Sequence, residues 1–367
     1  MATATKKPNG IELAASDLRA ALAAVSPAVP TRAPKPIYQA VRLGDGLLTG
    51  SDGEVRIDVA LYYHGEPILL PHARLSAILA AATGDTVTLQ PGDASCVVKA
   101  GNGTWTLPTE SAADYPLWEP KDAKPITRLP ADQFFRAVKG VVFATDNESS
   151  RFALGAVLVE VKGETVSFVA TDGRRLSLVE CEHDLAVDDS QTLAPSRVMA
   201  ILSRLAAAEE DGSVQLEATA TELIAEIGAT TVTARLIEGR FPRWRDVLPD
   251  LGVEPTTVLA DQLLTAVRAA AIVTTESSKG VDFTFSKNGL LLRGQSAEAG
   301  QSSVTCEVVE AGAACTAKLD PTYVVEWLQG LPKNGEPTVS VQAKDGNSAV
   351  IFRNDCNTGV VMPMAVD

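Results

Sequence analysis

The sequence predicts an α+β protein made of three tandem copies of one domain, each with antiparallel sheet and two short helices. Three observations carry this. Six segments share the apolar spacing i, i+3, i+4, i+7. Prolines recur at the front of every second one. Runs of strand character between them are joined by Asp-Gly, Lys-Gly and Asn-Gly dipeptides, the usual chemistry of tight hairpins.

In chain order the helical stripes are Leu18/Ala21/Leu22/Val25, Leu75/Ile78/Leu79/Ala82, Phe134/Ala137/Val138/Val141, Val198/Ile201/Leu202/Leu205, Leu263/Ala266/Val267/Ala270 and Val324/Trp327/Leu328/Leu331. Asp17, Asp132 and Asp261 are expected to cap the first, third and fifth. Pro71, Pro195 and Pro321 are expected to open the others, where a missing N–H costs nothing. These prolines are 124 and 126 residues apart, a period of duplicated domains and not of a solenoid.

Strands are expected at 38–43, 156–161, 166–169, 214–217, 290–292 and 339–341, with hairpin turns at Asp45-Gly46, Lys162-Gly163, Asn288-Gly289 and Asp345-Gly346. Sheets with a helix pair on one face follow. The stretches 118–124 and 249–255, rich in proline and acid, mark the junctions, giving domains 1–124, 125–253 and 254–367. A length of 367 residues fits two or three domains.

No apolar run approaches the ~20 residues of a membrane span. Met1–Pro8 reads as a loose tail with no secretory signal, and a cytoplasmic location is expected. The five cysteines have no metal-ligand spacing, and their odd number argues against a disulfide framework. The histidines His64, His72 and His183 are scattered, so no metal or cofactor is expected. Gly101-Asn102-Gly103-Thr104-Trp105 lacks the third glycine of a dinucleotide fingerprint and reads as a hairpin turn. No catalytic constellation emerges, and Asp172 before Gly173 needs no catalytic explanation.

A net charge of −14 argues against nucleic acid as a partner only if it is spread evenly. It is not. Opposite their apolar stripes the helices carry Arg19, Arg74, Arg136, Lys139, Arg197, Arg204 and Arg268, with Glu326 the one acid in a helix body. Any single helix can be basic merely to solvate its face; the shared bias points to phosphate contact without base readout.

Two segments stand out. The first is Val169–Leu178, two strands joined at Asp172-Gly173 and followed by Arg174-Arg175; alone it fits a solvated tip as well as a site. Its sister is Thr49–Arg56, whose Asp-Gly lies 120 residues earlier. The second is the apolar C-terminus Val360-Val361-Met362-Pro363-Met364. The valines fit a core strand equally well, whereas methionines around a proline suit a groove for varied apolar ligands.

Thr171-Asp172-Gly173-Arg174-Arg175-Leu176, Gly239–Pro249 (GRFPRWRDVLP) and Val360–Met364 together resemble three signature segments of the bacterial DNA sliding clamp, the beta subunit of DNA polymerase III. The likeness is good in copies two and three and looser in copy one. The resemblance implies three tandem DNA-clamp domains, with sheets outside and helices lining a central hole. It implies a homodimeric ring around double-stranded DNA without catalytic activity, tethering the polymerase III catalytic subunit, the clamp loader and other clamp-motif proteins. A divergent paralogue that binds partner motifs without being the main clamp is the second reading.

By resemblance, the partner-peptide cleft is formed by Leu154, Thr171, Gly173, Arg174, Arg175, Leu176, Pro242, Val247, Val360, Val361, Met362, Pro363 and Met364. DNA contact falls to Arg32 of the loop after the first helix, beside the helix-borne Arg74, Arg136, Lys139, Arg197, Arg204 and Arg268. Ile272 and Val273 are placed against Trp105 of a second subunit. The chain departs from the family pattern at Asp246, where a basic residue is common, at Glu148 in a DNA-facing loop, and in its ending Ala365-Val366-Asp367.

Overall fold

Six helices form where the apolar stripes fall: α1 (Ala15–Val25), α2 (His72–Ala81), α3 (Ala131–Lys139), α4 (Ser196–Ala206), α5 (Ala260–Ala270) and α6 (Pro321–Gly330). The computed structural model describes residues 10–146, 153–183, 185–248, 250–276, 278–332, 335 and 337–365; the Met1–Pro8 tail, Glu148, Val366 and Asp367 lie outside these. The stripes are buried as expected, except that Ala82 and Leu205 are only half-buried, and Ala82, Val141 and Leu331 lie just beyond their helices.

The helix starts differ from expectation. Strands Ile11–Ala14, Lys124–Pro130 and Thr256–Leu259 run straight into α1, α3 and α5, so Ala14, Pro130 and Leu259 occupy the cap positions and no side chain caps them. Asp17, Asp132 and Asp261 sit inside the first turn, where a carboxylate favours the positive end of the helix dipole. Pro71 and Pro195 are themselves caps, ending strands Ile68–Pro71 and Ser190–Pro195. Only Pro321 opens its helix from inside, and there Asp320 Oδ1 accepts from Thr322 N at 2.9 Å.

The chain divides into two compact units, one of residues 1–125 with 211–235 and one of 126–210 with 236–367. The first contains a four-stranded sheet in the order Ile11–Ala14, Thr86–Pro91, Ser95–Ala100, Gly103–Pro108. Its second sheet runs Ile68–Pro71, Ala40–Gly44, Leu47–Ser51, Val55–Ala60, Thr230–Arg235, Glu222–Ile227, Ser213–Ala218. Leu18 and Val25 of α1 and Leu75 of α2 are buried, as are Val41, Leu43 and Ile57 of that sheet.

The second unit has an eight-stranded sheet in the order Ser190–Pro195, Ala156–Lys162, Thr165–Thr171, Arg175–Glu182, Asn357–Val361, Val350–Asn354, Thr338–Gln342, Thr256–Leu259. A four-stranded sheet runs Gly300–Cys306, Gly289–Ser296, Val281–Ser286, Cys315–Leu319. One core joins α5 and α6 to both sheets through Leu263, Val267, Phe283, Leu292, Trp327, Val339 and Phe352.

One pairing occurs twice. In copy one the strand after the Asp52-Gly53 turn, Val55–Ala60, pairs antiparallel with the last strand of copy two, Thr230–Arg235. In copy two the strand after Asp172-Gly173, Arg175–Glu182, pairs with the last strand of copy three, Asn357–Val361. The corresponding strand of copy three, Gly300–Cys306, and the last strand of copy one, Gly103–Pro108, each stand at a sheet edge. Each four-stranded sheet therefore ends at the position where the corresponding strand of the other copies finds a partner.

Candidate functional site

The Asp172-Gly173 turn owes its shape to local hydrogen bonds. Asp172 Oδ1 accepts from the backbone N–H groups of Arg174 and Arg175, both at 2.9 Å, and Thr171 Oγ1 accepts from Gly173 N at 3.1 Å. Gly173 takes φ 85° with open space where a side chain would project, so glycine is required for conformation and not for packing. The sister turn is built alike: Asp52 Oδ1 accepts from Glu54 N and Val55 N at 2.9 and 2.8 Å, and Gly53 has φ 92°. Asp172 is therefore a turn residue.

Beyond the turn the two arginines part. Arg174 is exposed. The Arg175 side chain is only 10% exposed, with Nε donating to Asp172 Oδ2 at 3.0 Å, Nη2 to the Phe143 carbonyl at 2.6 Å and Nη1 to Glu326 Oε2. Its guanidinium also lies 4.5 Å from the ring centroid of Tyr323 and 5.3 Å from that of Phe143.

Leu176 faces Val360 in register across the strand pair, and Arg175 faces Val361. Leu158, Val169, Leu176, Leu178, Trp244 and Val360 form one buried cluster, with Leu193, Phe241, Leu248 and Ala349 packed on it. The hairpin strand, the 239–248 loop and the last strand thus converge. The C-terminus divides in two: Val360 and Val361 are sheet core, while Met362 is 44% exposed and Pro363 and Met364 are half-buried. Met362 N donates to Arg174 O at 2.9 Å and Met364 N to Lys318 O at 2.8 Å, tying the tail to the hairpin and to strand Cys315–Leu319. Val247 is 42% exposed, Pro242 half-buried, and Thr171 and Leu154 are buried; the Leu154 carbonyl accepts from Asp146 N at 2.9 Å.

The loop has an anchor that sequence reasoning missed. Glu160, buried in the strand Ala156–Lys162 and flanked there by apolar residues on both sides, accepts from Gln191 Nε2 at 2.5 Å and is ion-paired with Arg245 at 2.5 Å. Burial pushes its pKa up, but the Arg245 and Gln191 interactions outweigh burial and hold the carboxyl below its ordinary value. Arg245 also stacks on Trp244, 4.0 Å from the ring centroid. The available signal was a lone acid in an apolar strand. Asp246 is exposed beside this anchor.

The expected basic residues lie on open faces. Arg32, Arg74, Arg136, Arg197, Arg204 and Arg268 are exposed and Lys139 is half-buried. Arg136 is bridged to Asp132 at 2.6 Å one turn back, a largely exposed pair. Arg19 donates to the Leu79 carbonyl at 3.0 Å and so links α1 to α2. The ends of α3 and α6 approach closely: a Cβ on Gly330 would lie 3.3 Å from Gly140 Cα. Ile272, in the short turn after α5, is 79% exposed; Val273 and Trp105 are half-buried.

Among the described residues no cluster of three or more histidines, cysteines or carboxylates has metal-holding geometry, and no helix is long and apolar enough to cross a membrane. The cysteines are unbridged, and burial pushes the Cys181 and Cys306 thiols up to about 12 and about 11.

Residues 128–243 match the family model described as DNA polymerase III beta subunit, central domain. The chain is 28% identical over 326 residues to the beta sliding clamp of Pseudomonas aeruginosa, covering 86% of this chain and 88% of that protein. It is 26% identical over 334 residues to the beta sliding clamp of Escherichia coli, covering 88% and 90%. The crystal structure of the P. aeruginosa DNA polymerase III subunit beta superposes with a TM-score of 0.90 at 26% identity, covering 98% of this chain and all of that one.

Proposed function

We propose that this chain, a member of the bacterial beta sliding-clamp family, is a DNA sliding clamp: a ring-shaped homodimer that encircles duplex DNA and tethers the replicative polymerase and other replication or repair proteins in the cytoplasm. The observation that carries the reading is the junction that occurs twice within the chain and is left half-made a third time. Gly103–Pro108 of one copy completes Gly300–Cys306 of another by the same antiparallel pairing. Two copies satisfy both seams at once, which closes a ring of six domains, 1–124, 125–253 and 254–367 from each. Exposed Ile272, with Val273, is buried at that seam beside Trp105 of the second copy.

DNA is held without sequence readout. Arg32, Arg74, Arg136, Lys139, Arg197, Arg204 and Arg268 meet phosphates, while the surplus of acids elsewhere on the chain repels nonspecific contact. The clamp does no chemistry of its own; it raises the local concentration of whatever it holds. Partners such as the polymerase III catalytic subunit and the clamp loader place a short apolar peptide against the Leu176–Val360–Trp244 cluster, with Pro242, Val247 and Met362 to Met364 around it. Likeness to clamps along 86–88% of the chain, well beyond the central domain, favours this over a divergent paralogue.

The test is loader-dependent retention on nicked circular DNA and loss after linearisation. Retention on circles with release from linear DNA supports the clamp. A monomer at micromolar concentration, or equal retention on both substrates, overturns it.

A further inference from the structure

Within that reading of the cleft, on which this inference rests, the geometry points to a division of labour between the two hairpin arginines: Arg175 is a positioning residue that bolts the cleft wall to α6, and it does not read the partner peptide's charge. A guanidinium has five N–H donors in a rigid plane, and here each of its three nitrogens has a partner inside the protein. Its charge faces two carboxylates, Asp172 and Glu326, and it lies close to the Phe143 and Tyr323 rings. The partners come from four places: the turn itself, the segment after α3, and two positions on α6. Leu176, the next residue, is thereby held opposite Val360. With Arg175 committed, Arg174 is the exposed cation of the hairpin.

Glu326 gains a role as well. It is the one helix acid beyond a first turn, and its carboxylate is spent on Arg175, not on balancing the basic faces.

The two roles available to Arg175 predict opposite signs for one substitution. If Arg175 positions the wall, Glu326→Gln loosens the bolt and weakens peptide binding. If Arg175 contacts peptide charge, removing its competitor frees it and strengthens binding, most for an acidic peptide at low salt. The probe is a fluorescent synthetic peptide copying the apolar clamp-binding segment of the polymerase III catalytic subunit, made with one carboxylate side chain and again with the matching amide.

For Glu326→Gln, a loss of about tenfold is expected, equal for both peptides and unchanged between low and moderate salt. Arg175→Lys should not rescue, because an ammonium cannot span the three acceptors. Tighter or unchanged binding in Glu326→Gln, or a loss confined to the acidic peptide, overturns the assignment. Glu326→Ala read beside thermal unfolding guards against misfolding: affinity lost only in proportion to unfolded protein also overturns it. Failure of the unmodified protein to bind either peptide would instead overturn the cleft reading itself.

Discussion

Leu176 and Val360 are register partners across the strand pair that joins copy two to copy three, and both belong to the cluster that Trp244 closes. Their separation of 184 residues in sequence makes this pairing a measure of how the proposed cleft depends on tertiary assembly.

Leu176→Ala is expected to cost about 2–5 kcal/mol, because a 3% exposed side chain leaves a cavity between strands that cannot collapse. Urea unfolding monitors the loss. Peptide binding should fall in the same variant under conditions where it remains folded.

Ile272→Asp should convert the dimer to monomer while leaving the stability of the separated chain unchanged, since the side chain is 79% exposed in the single chain and would be buried only at the seam. Analytical ultracentrifugation reads the first effect and calorimetry at low concentration the second. A persistent dimer would move the seam elsewhere.

Replacing both Arg74 and Arg268 by alanine should reduce the salt dependence of binding to a duplex by about 2 in the log–log slope, at about 0.9 for each phosphate left unneutralised. Arg136→Ala should do less, because Asp132 already neutralises part of that charge. Fluorescence anisotropy over a salt series distinguishes the two.

The Glu160–Arg245 anchor predicts an acid transition. The folded carboxyl is held below its ordinary value of 4.5, so its stabilisation is present above that pH and is lost as pH falls through the depressed folded value. Tryptophan fluorescence should report release of the Trp244 loop in acid. Glu160→Gln should forfeit the stabilisation at neutral pH and flatten the acid limb.

The helix faces, the Asp-Gly turns and the threefold repeat were legible because each rests on residues within a few positions of one another. The helix starts were not, since a strand running directly into a helix puts the cap two or three residues ahead of the first acid. Asp320 before Pro321 was a readable cap signal that the proline overshadowed. Strand pairing across copies, such as Val55–Ala60 with Thr230–Arg235, has no local signature, because the partner strand carries no mark of its address.

Of the segments assigned to the proposed cleft, the hairpin strand and the last strand do meet, at Leu176 and Val360. What escaped were the supports. Glu160 and Glu326 act through arginines 85 and 151 residues away in sequence, and Phe241 and Trp244 turn inward although their segment is rich in arginine.

Finally, the edge strand Gly300–Cys306 has the sequence Gly-Gln-Ser-Ser-Val-Thr-Cys, with no charge and no proline to discourage a stray strand from adding to it. Gly103–Pro108 is equally uncharged and ends at a proline. If a second copy is what covers these two edges, as proposed, the chain has no single unfolding free energy and its stability is a function of its own concentration. Dilution would then work on this protein as a denaturant does on others, and the species released when such a ring opened would be poised to pair again or to aggregate.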